Sequence, residues 1–265
     1  MSTIEPTAVP APWTVVRDDH VAVVVFEGGV RRTMGIQGAG QLAAIIAERA
    51  ARAEPPVLVL VVDILHAELL EVIEMGGGRP IADWAPWGSA ITGVERYPSA
   101  TIVAVPRQAT CGGLELSLAA DVRIAAPTAR LGVLETRMGL IPGAGGTQRL
   151  PGLVGQGNAA MLVLTGESVS GTEAHRMGLV QLLDDDPVAA AVSLAETLAT
   201  RSAAVLAAAK RGLHAARSTS ADGFREEGRA FLSVVGTERT MATMRDWVDR
   251  QERGQSPAHD PSPLP

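Results

Sequence analysis

Two runs of largely apolar, mostly β-branched residues constrain the fold of this chain more than any other feature. They occupy residues 57–62 and 100–105, and a segment at helical spacing, 37–53, ends at a proline pair just before the first run. Continuous apolar runs of this length are typical of strands that are covered on both faces. A second predicted helix (114–120) and another predicted strand (122–126) follow the second run. The alternation predicts an α/β fold with crossover helices.

The two ends of the chain differ from this middle part. Residues 13–26 hold two β-branched runs that predict a hairpin, and the last third of the chain is mostly helical in pattern. We therefore predict a core over residues 13–186 and a C-terminal helical region over 187–253. Residues 1–12 and 254–265 are rich in proline without an apolar repeat, so we expect them to be disordered tails.

Composition excludes several classes of function. The formal net charge of −6 and the pI near 5.4 argue against nucleic-acid binding, which needs a basic face. The single cysteine, Cys111, cannot form an intrachain disulfide, and residues 1–12 lack the layout of a signal peptide. The most apolar run is far shorter than the roughly 20 residues that a helix needs to cross a membrane. We therefore expect a cytoplasmic protein without a membrane segment.

Three features in the middle of the chain suggest chemistry. Gly112 and Gly113 stand between a predicted strand and a predicted helix, where close backbone approach and helix N–H groups suit an oxyanion. Taken alone, such a glycine pair is more often a tight turn. Glu115 and Glu135 are carboxylates among apolar neighbours, yet each alone is as well explained by a surface position or a helix cap. Their joint order along the chain is more informative than any of them singly.

That order resembles the crotonase (enoyl-CoA hydratase/isomerase) superfamily over residues 98–180. The matching segments are Gly-Gly-Leu-Glu-Leu (112–116), Ala-Asp-Val-Arg-Ile-Ala (120–125), Leu-Gly-Val-Leu-Glu (131–135), Gly-Leu-Ile-Pro-Gly-Ala-Gly-Gly-Thr-Gln-Arg-Leu (139–150), Leu-Thr-Gly-Glu (164–167) and Arg-Met-Gly-Leu-Val (176–180). Weaker similarity covers residues 13–250, with Lys210 and Arg250 where the family often carries basic residues. The resemblance implies an α/β spiral of ββα units. It also implies that the C-terminal helical region supports a homotrimer or a dimer of trimers.

The resemblance implies roles for individual residues as well. Glu115 and Glu135 match the two acid/base glutamates of the hydratases. The backbone N–H groups of Gly112 and Leu70 match the two halves of the oxyanion hole, and Gly143 matches a residue that lines the pocket near the water.

Arg31 matches a basic position that often contacts the phosphates of CoA, but Arg32 replaces the usual asparagine beside it. The arginine pair fits a phosphopantetheine carrier in place of free CoA, and it equally fits two solvated surface side chains. Trp84 and Trp87 fall in a region that often borders the acyl pocket. A surface-loop or core role explains them at least as well, so they are not predicted as site residues.

The sequence departs from the family pattern at three places. Residues 66–75 lack the glycine of the usual Ala-Gly-Ala-Asp motif, and their pattern equally fits a plain amphipathic helix. Pro106 and Arg107 replace Asn-Gly, and Cys111 replaces a first glycine. These departures leave in question how the first half of the oxyanion hole is formed.

The sequence thus predicts an enoyl-CoA hydratase-type lyase that acts on an acyl-CoA or acyl-carrier thioester, as in fatty acid metabolism. The alternatives are an isomerase or decarboxylase of the same superfamily, or a non-catalytic protein of this fold that binds a partner or an acyl carrier. No separate cofactor is expected, because CoA or phosphopantetheine is part of the substrate. The five histidines are scattered without ligand spacing, so no metal site is predicted.

Overall fold

The computed structural model describes residues 12–29, 32–67, 71–73, 84–216, 228, 231–232 and 235–253. The strands are β1 (Trp13–Asp18), β2 (Val21–Phe26), β3 (Thr33–Met34), β4 (Val57–Val61), β5 (His66–Ala67), β6 (Thr101–Val105), β7 (Gln108–Thr110), β8 (Val122–Ala125), β9 (Arg130–Gly132), β10 (Ser168–Ser170) and β11 (Leu182–Leu183). The helices are α1 (Ile36–Ala50), α2 (Ala85–Glu95), α3 (Gly112–Leu118), a 3₁₀ helix (Glu135–Met138), α4 (Gly146–Thr165), α5 (Gly171–Arg176), α6 (Pro187–Ala199), α7 (Ala203–Ala216) and α8 (Glu238–Glu252).

The largest sheet has six strands in the order β1-β2-β4-β6-β8-β11. β1 is antiparallel to β2, as the predicted hairpin requires, and every other neighbouring pair is parallel. β4 and β6 lie side by side, with Val59 opposite Ile102, and all their residues are buried. The two apolar runs that dominate the sequence are therefore the central strands of the sheet.

Helices cover both faces of this sheet, which explains why its central strands are almost entirely apolar. On one face, Leu42 and Ile46 of α1 pack with Trp87 of α2 and Leu116 of α3 in the main hydrophobic core. On the other face, α6 packs its small alanines against the valines of β2 and β4. The fold thus buries two layers of apolar contacts.

A smaller sheet places the chemistry-bearing segments side by side. β7 and β9 are parallel neighbours, with Thr110 opposite Gly132. β7 leads directly into α3, which carries Glu115, and β9 is followed closely by the 3₁₀ helix that begins at Glu135. Because the carboxyl ends of neighbouring parallel strands meet at one edge, the two glutamates are brought to the same place.

The C-terminal part contains, within the described residues, the helices α6, α7 and α8. No single helix among the described residues is long and apolar enough to cross a membrane. Helix α6 and the first part of α7 would be long and apolar enough only if they were taken as one segment, and they are bent by 108° from each other. Apart from Pro12, the predicted disordered tails lie outside the described residues.

Candidate active site

The start of α3 is fixed by tight backbone contacts. Cys111 precedes the helix with φ of 50° and ψ of −129°, a conformation that favours glycine, and its N–H donates to the carbonyl of Gly132 at 2.9 Å. Gly113 lies so close to Ile64 that an added Cβ would be 2.7 Å from the Ile64 Cβ. The glycine at position 113 therefore lets the helix approach the segment that follows β4.

Glu115 lies in the first turn of α3 and is only 3% exposed. Its Oε1 accepts hydrogen bonds from two backbone N–H groups, that of Ala144 at 2.8 Å and that of Gly146 at 2.9 Å. Both donors belong to the turn that starts α4, where Gly145 has φ of 108°. Amide donors at a helix N-terminus favour a negative charge, so this arrangement favours the ionised carboxylate.

Glu135 is the first residue of the 3₁₀ helix and is 6% exposed. It lines the same cavity as Glu115 and Gly112. Gly112 is the first residue of α3, and the first N–H groups of a helix have no acceptor within the helix itself. The site therefore combines two buried carboxyl groups with a helix N-terminal amide.

The cavity between these groups has a volume of about 420 Å³ and a largely apolar wall. The wall is formed by residues of α2, of the segments around the two glutamates and of the C-terminal part of the chain. Its larger apolar side chains are Val72, Trp84, Trp87, Ile91, Met138, Leu140, Ile141 and Phe231. Its other polar or charged side chains, beyond the two glutamates, are His66, Thr92 and Arg149. A chamber of this size and character suits an acyl chain.

The C-terminal part closes one side of this cavity. An added Cβ at Gly143 would be 2.9 Å from Cδ2 of Phe231, so that ring packs directly on the glycine. Val235 and Met244 form a separate apolar cluster with Met138 and Leu140. The cavity wall is therefore shared between the core and residues near the end of the chain.

Cys111 also lines the cavity, and its side chain is 3% exposed. Burial raises the pKa of the Cys111 thiol well above its ordinary value, and the charges of Glu135 and then Glu115 raise it further. The backbone N–H of Leu134 acts in the opposite direction. The thiol therefore stays protonated beside the two carboxyl groups.

The structure brings four of the six predicted site residues together: Glu115, Glu135, Gly112 and Gly143 all line one cavity. Leu70 and Arg31, predicted for the oxyanion hole and for phosphate binding, lie outside the described residues.

Arg32, the neighbour of Arg31, is not simply solvated. Its Nε lies 3.4 Å from a carboxylate oxygen of Asp63, a residue that is 5% exposed. Arg107, which replaces the usual family glycine, donates to the same oxygen. Arg32 and Arg107, two residues at which the sequence departs from the family pattern, therefore both contact the buried carboxylate of Asp63.

Sequence reasoning missed several residues of the cavity wall. Trp84 and Trp87 are not among the predicted site residues, because from sequence a surface-loop or core role explains them at least as well. Trp87 in fact lies against Gly112, where an added Cβ would be 2.9 Å from its Cη2 atom. Arg149 belongs to the matching segment 139–150, but that match implied no role for it, and Phe231 carried no local signal.

No group of three or more histidine, cysteine or acidic residues in the described part of the chain is arranged to hold a metal ion.

A family model described as enoyl-CoA hydratase/isomerase matches residues 83–253, which is more than half of the chain. The protein therefore belongs to the enoyl-CoA hydratase/isomerase family.

Two relatives illustrate the similarity. Enoyl-CoA hydratase domain-containing protein 2, mitochondrial, of Homo sapiens is 53% identical over 87 residues, which cover 33% of this chain and 30% of that protein. Methylglutaconyl-CoA hydratase 1, mitochondrial, of Pyricularia oryzae is 33% identical over 183 residues, which cover 62% of this chain and 52% of that protein. The matches thus span about a third to about half of the length of these relatives.

The crystal structure of an enoyl-CoA hydratase/isomerase from Mycobacterium paratuberculosis is similar in fold. It has a TM-score of 0.80 and 19% sequence identity, and the match covers 90% of this chain and 99% of that chain. At this identity the likeness shows the fold alone. The predicted crotonase-like α/β architecture is confirmed.

Proposed function

We propose that this protein is a hydratase of acyl thioesters, which adds water across a double bond conjugated to the thioester carbonyl or removes it in reverse. One observation carries the proposal: two buried glutamates, Glu115 and Glu135, line one apolar cavity beside the N-terminal amide of α3. Hydration of such a bond needs a base for the water, an acid for the α carbon and a donor for the thioester oxygen. The cavity offers one group for each task.

Glu115 is proposed as the base. The two amides on its Oε1 favour the carboxylate form, which is the form that can take a proton from water. The oxygen of that water then bonds to the β carbon of the substrate. The electron pair of the double bond moves towards the thioester carbonyl, whose oxygen gains negative charge.

The N–H of Gly112 is proposed to donate to this developing oxyanion. A single such donor contributes roughly 3 kcal/mol to catalysis in other enzymes. Glu135 is proposed as the acid that delivers a proton to the α carbon and completes the addition. One carboxyl group has then gained a proton and the other has lost one, so proton exchange with solvent resets the pair.

The acyl chain is proposed to lie against the apolar wall that includes Trp87, Ile91 and Leu140. CoA or the phosphopantetheine of an acyl carrier would then extend out of the cavity as part of the substrate. The proposed reaction therefore uses groups of this chain, the thioester substrate and water.

The direct test uses a panel of 2-enoyl thioesters with short, long and branched acyl chains, each linked to CoA or to a carrier. Hydration is measured as loss of the absorbance of the conjugated enoyl group. Glu115→Gln and Glu135→Gln should each lower kcat by roughly 10²- to 10⁴-fold, the usual range for a general acid or base. Glu54→Gln, at an exposed position, is the matched control. If no member of the panel loses absorbance with the unmodified protein, the hydratase proposal is wrong.

Heavy-oxygen water separates hydration from the other reactions of the family. A hydratase incorporates the labelled oxygen into the product, whereas an isomerase moves a double bond without incorporating it. A decarboxylase would release carbon dioxide from a carboxylated thioester. Incorporation of label that depends on both glutamates supports the hydratase, and product without label contradicts it.

A further inference from the structure

The orientation of Glu115 depends on a turn that is distant in sequence. Its Oε1 is held by the backbone N–H groups of Ala144 and Gly146, which lie 2.8 and 2.9 Å away. Both donors are main-chain atoms of the turn that starts α4. The direction and the charged state of Glu115 therefore follow the shape of the turn itself.

Arg149 holds this turn from the other side. Its Nη1 donates to the carbonyl of Ala144 at 3.0 Å, so Ala144 is bonded to Arg149 through its carbonyl and to Glu115 through its N–H. The Nη2 of Arg149 donates to Oε2 of Glu95 at 2.8 Å. The Arg149 side chain is 9% exposed and that of Glu95 is 26% exposed, so water screens the contact only in part.

Glu95 is the last residue of α2, the helix that supplies Trp87 and Ile91 to the cavity wall. The planar guanidinium of Arg149 thus bonds at once to the end of α2 and to the turn that holds Glu115. A lysine could reach one of these acceptors, but it lacks the fixed fork that serves two acceptors in different directions.

We propose that Arg149 is a positioning residue for Glu115, and that Glu95 in turn holds the guanidinium in place. The role rests on the proposed function, because it assumes that Glu115 is the base. Arg149 acts by keeping the Ala144 and Gly146 amides convergent on one carboxylate oxygen. Loss of this support lets the turn relax, which misplaces the base and weakens the preference for its ionised form.

The test uses the full-length Arg149→Met variant, with Arg176→Met as the control because Arg176 is a highly exposed arginine in an ion pair with Glu173. We expect kcat of Arg149→Met to fall by about a hundredfold, the scale of a small misplacement of a catalytic group, with little change in KM. Arg149→Lys should recover part of the loss. Glu95→Gln should show a smaller loss, and the double variant should be no worse than Arg149→Met alone.

The pH profile is a readout that a merely structural role would not change. If the amides favour the ionised Glu115, the acid limb of kcat/KM should move to higher pH in Arg149→Met. The other titratable or charged groups that line the cavity, among the described residues, are Glu135, Cys111, His66 and Arg149 itself. Arg176→Met should leave the acid limb unchanged.

Amide hydrogen exchange tests the same role without any substrate. The N–H groups of Ala144 and Gly146 should exchange faster in Arg149→Met than in the unmodified protein. An inactive unmodified protein would overturn the proposed function and leave the exchange result to decide the positioning role. An active protein whose Arg149→Met variant keeps its acid limb and its amide protection would overturn the positioning role alone. Should Arg149→Met not fold, Arg149→Lys and Glu95→Gln decide by the same two measurements.

Discussion

The carboxylate of Glu71 accepts a hydrogen bond from the backbone N–H of Ile36, with 2.7 Å between Glu71 Oε2 and Ile36 N. Ile36 is the first residue of α1, and the residue before it, Gly35, has no side chain to cap the helix. An added Cβ at Gly35 would be 2.8 Å from Oε1 of Glu71, so the glycine also makes room for the carboxylate. A residue far along the chain therefore caps this helix, and it directly follows Leu70, one of the two residues that the sequence resemblance predicts for the oxyanion hole.

Replacement of Glu71 should weaken the start of α1. We expect Glu71→Ala to lower the free energy of unfolding by about 1 kcal/mol, the usual effect of losing a helix cap. Glu54→Ala removes a glutamate from an exposed position and should change it little. Urea denaturation of both variants measures the difference. Equal stabilities would show that the carboxylate contributes nothing as a cap.

The contact between Gly112 and Trp87 gives a second prediction. Gly112→Ala would place a Cβ 2.9 Å from Trp87 Cη2, so the ring or the helix must move, and overpacking of this kind costs roughly 1–3 kcal/mol. Gly88→Ala is the matched control on α2, because an added Cβ there meets nothing within 4 Å. We expect Gly88→Ala to be neutral or stabilising, since alanine favours a helix. A Gly112→Ala protein as stable as the Gly88→Ala protein would contradict the close contact.

Lys210, the only lysine of the chain, provides a chemical probe of α7. Its side chain is 7% exposed, its Nζ lies 2.9 Å from a carboxylate oxygen of Asp121, and it also donates to the Val94 carbonyl. An amine-selective reagent should therefore label Lys210 at least about a hundredfold more slowly in the native protein than in denaturant, because labelling needs local opening.

Asp121→Asn should accelerate that labelling, since it removes the charge that holds the ammonium group. Asp185→Asn, at an exposed position, should not. Mass spectrometry of proteolytic peptides measures the modified fraction over time. Rapid labelling of native Lys210 would mean that α7 is not held by this pair in solution.

Tyr97, the only tyrosine, predicts how stability depends on alkaline pH. Burial raises the pKa of Tyr97 well above its ordinary value of 10.0. The charges nearby have smaller effects: Arg49 and Arg52 lower this pKa, and Asp18 raises it. The unfolded chain therefore loses this proton first as the pH rises. Stability should be intact below pH 10.0 and should fall above it by about 1.4 kcal/mol per pH unit from this group.

Tyr97→Phe isolates that contribution. Its hydroxyl has no hydrogen-bond partner among the described residues, so the replacement should cost little at neutral pH. Above pH 10.0 the free energy of unfolding of Tyr97→Phe should increasingly exceed that of the unmodified protein. A difference that is independent of pH would contradict the raised pKa.

The central strands could be predicted because burial on both faces leaves a direct trace in sequence. The apolar runs at 57–62 and 100–105 became β4 (Val57–Val61) and β6 (Thr101–Val105), within a residue at each end. The predicted helix at 37–53 is found as Ile36–Ala50, so its C-terminal end is the least accurate boundary.

The contacts that organise the site left no such trace. The two donors described for Oε1 of Glu115 are main-chain amides, which every residue except proline carries, so the residue types at positions 144 and 146 do not reveal these bonds. Glu71 caps a helix that starts 35 residues earlier, so no local capping motif exists to be found. These relationships are set by the tertiary fold, which is why the sequence indicated the glutamates but not what holds them.

The contribution of the C-terminal part to the cavity wall affects when the site can form as the chain is synthesised on the ribosome. A nascent chain that has emerged as far as Val180 already contains both glutamates, but it lacks Phe231 and Met244. Apolar side chains such as Met138 and Leu140 would face water until residues 231–244 have been translated. The cleft is therefore completed only after this segment is made, and until then the growing polypeptide exposes an apolar surface that chaperones can recognise.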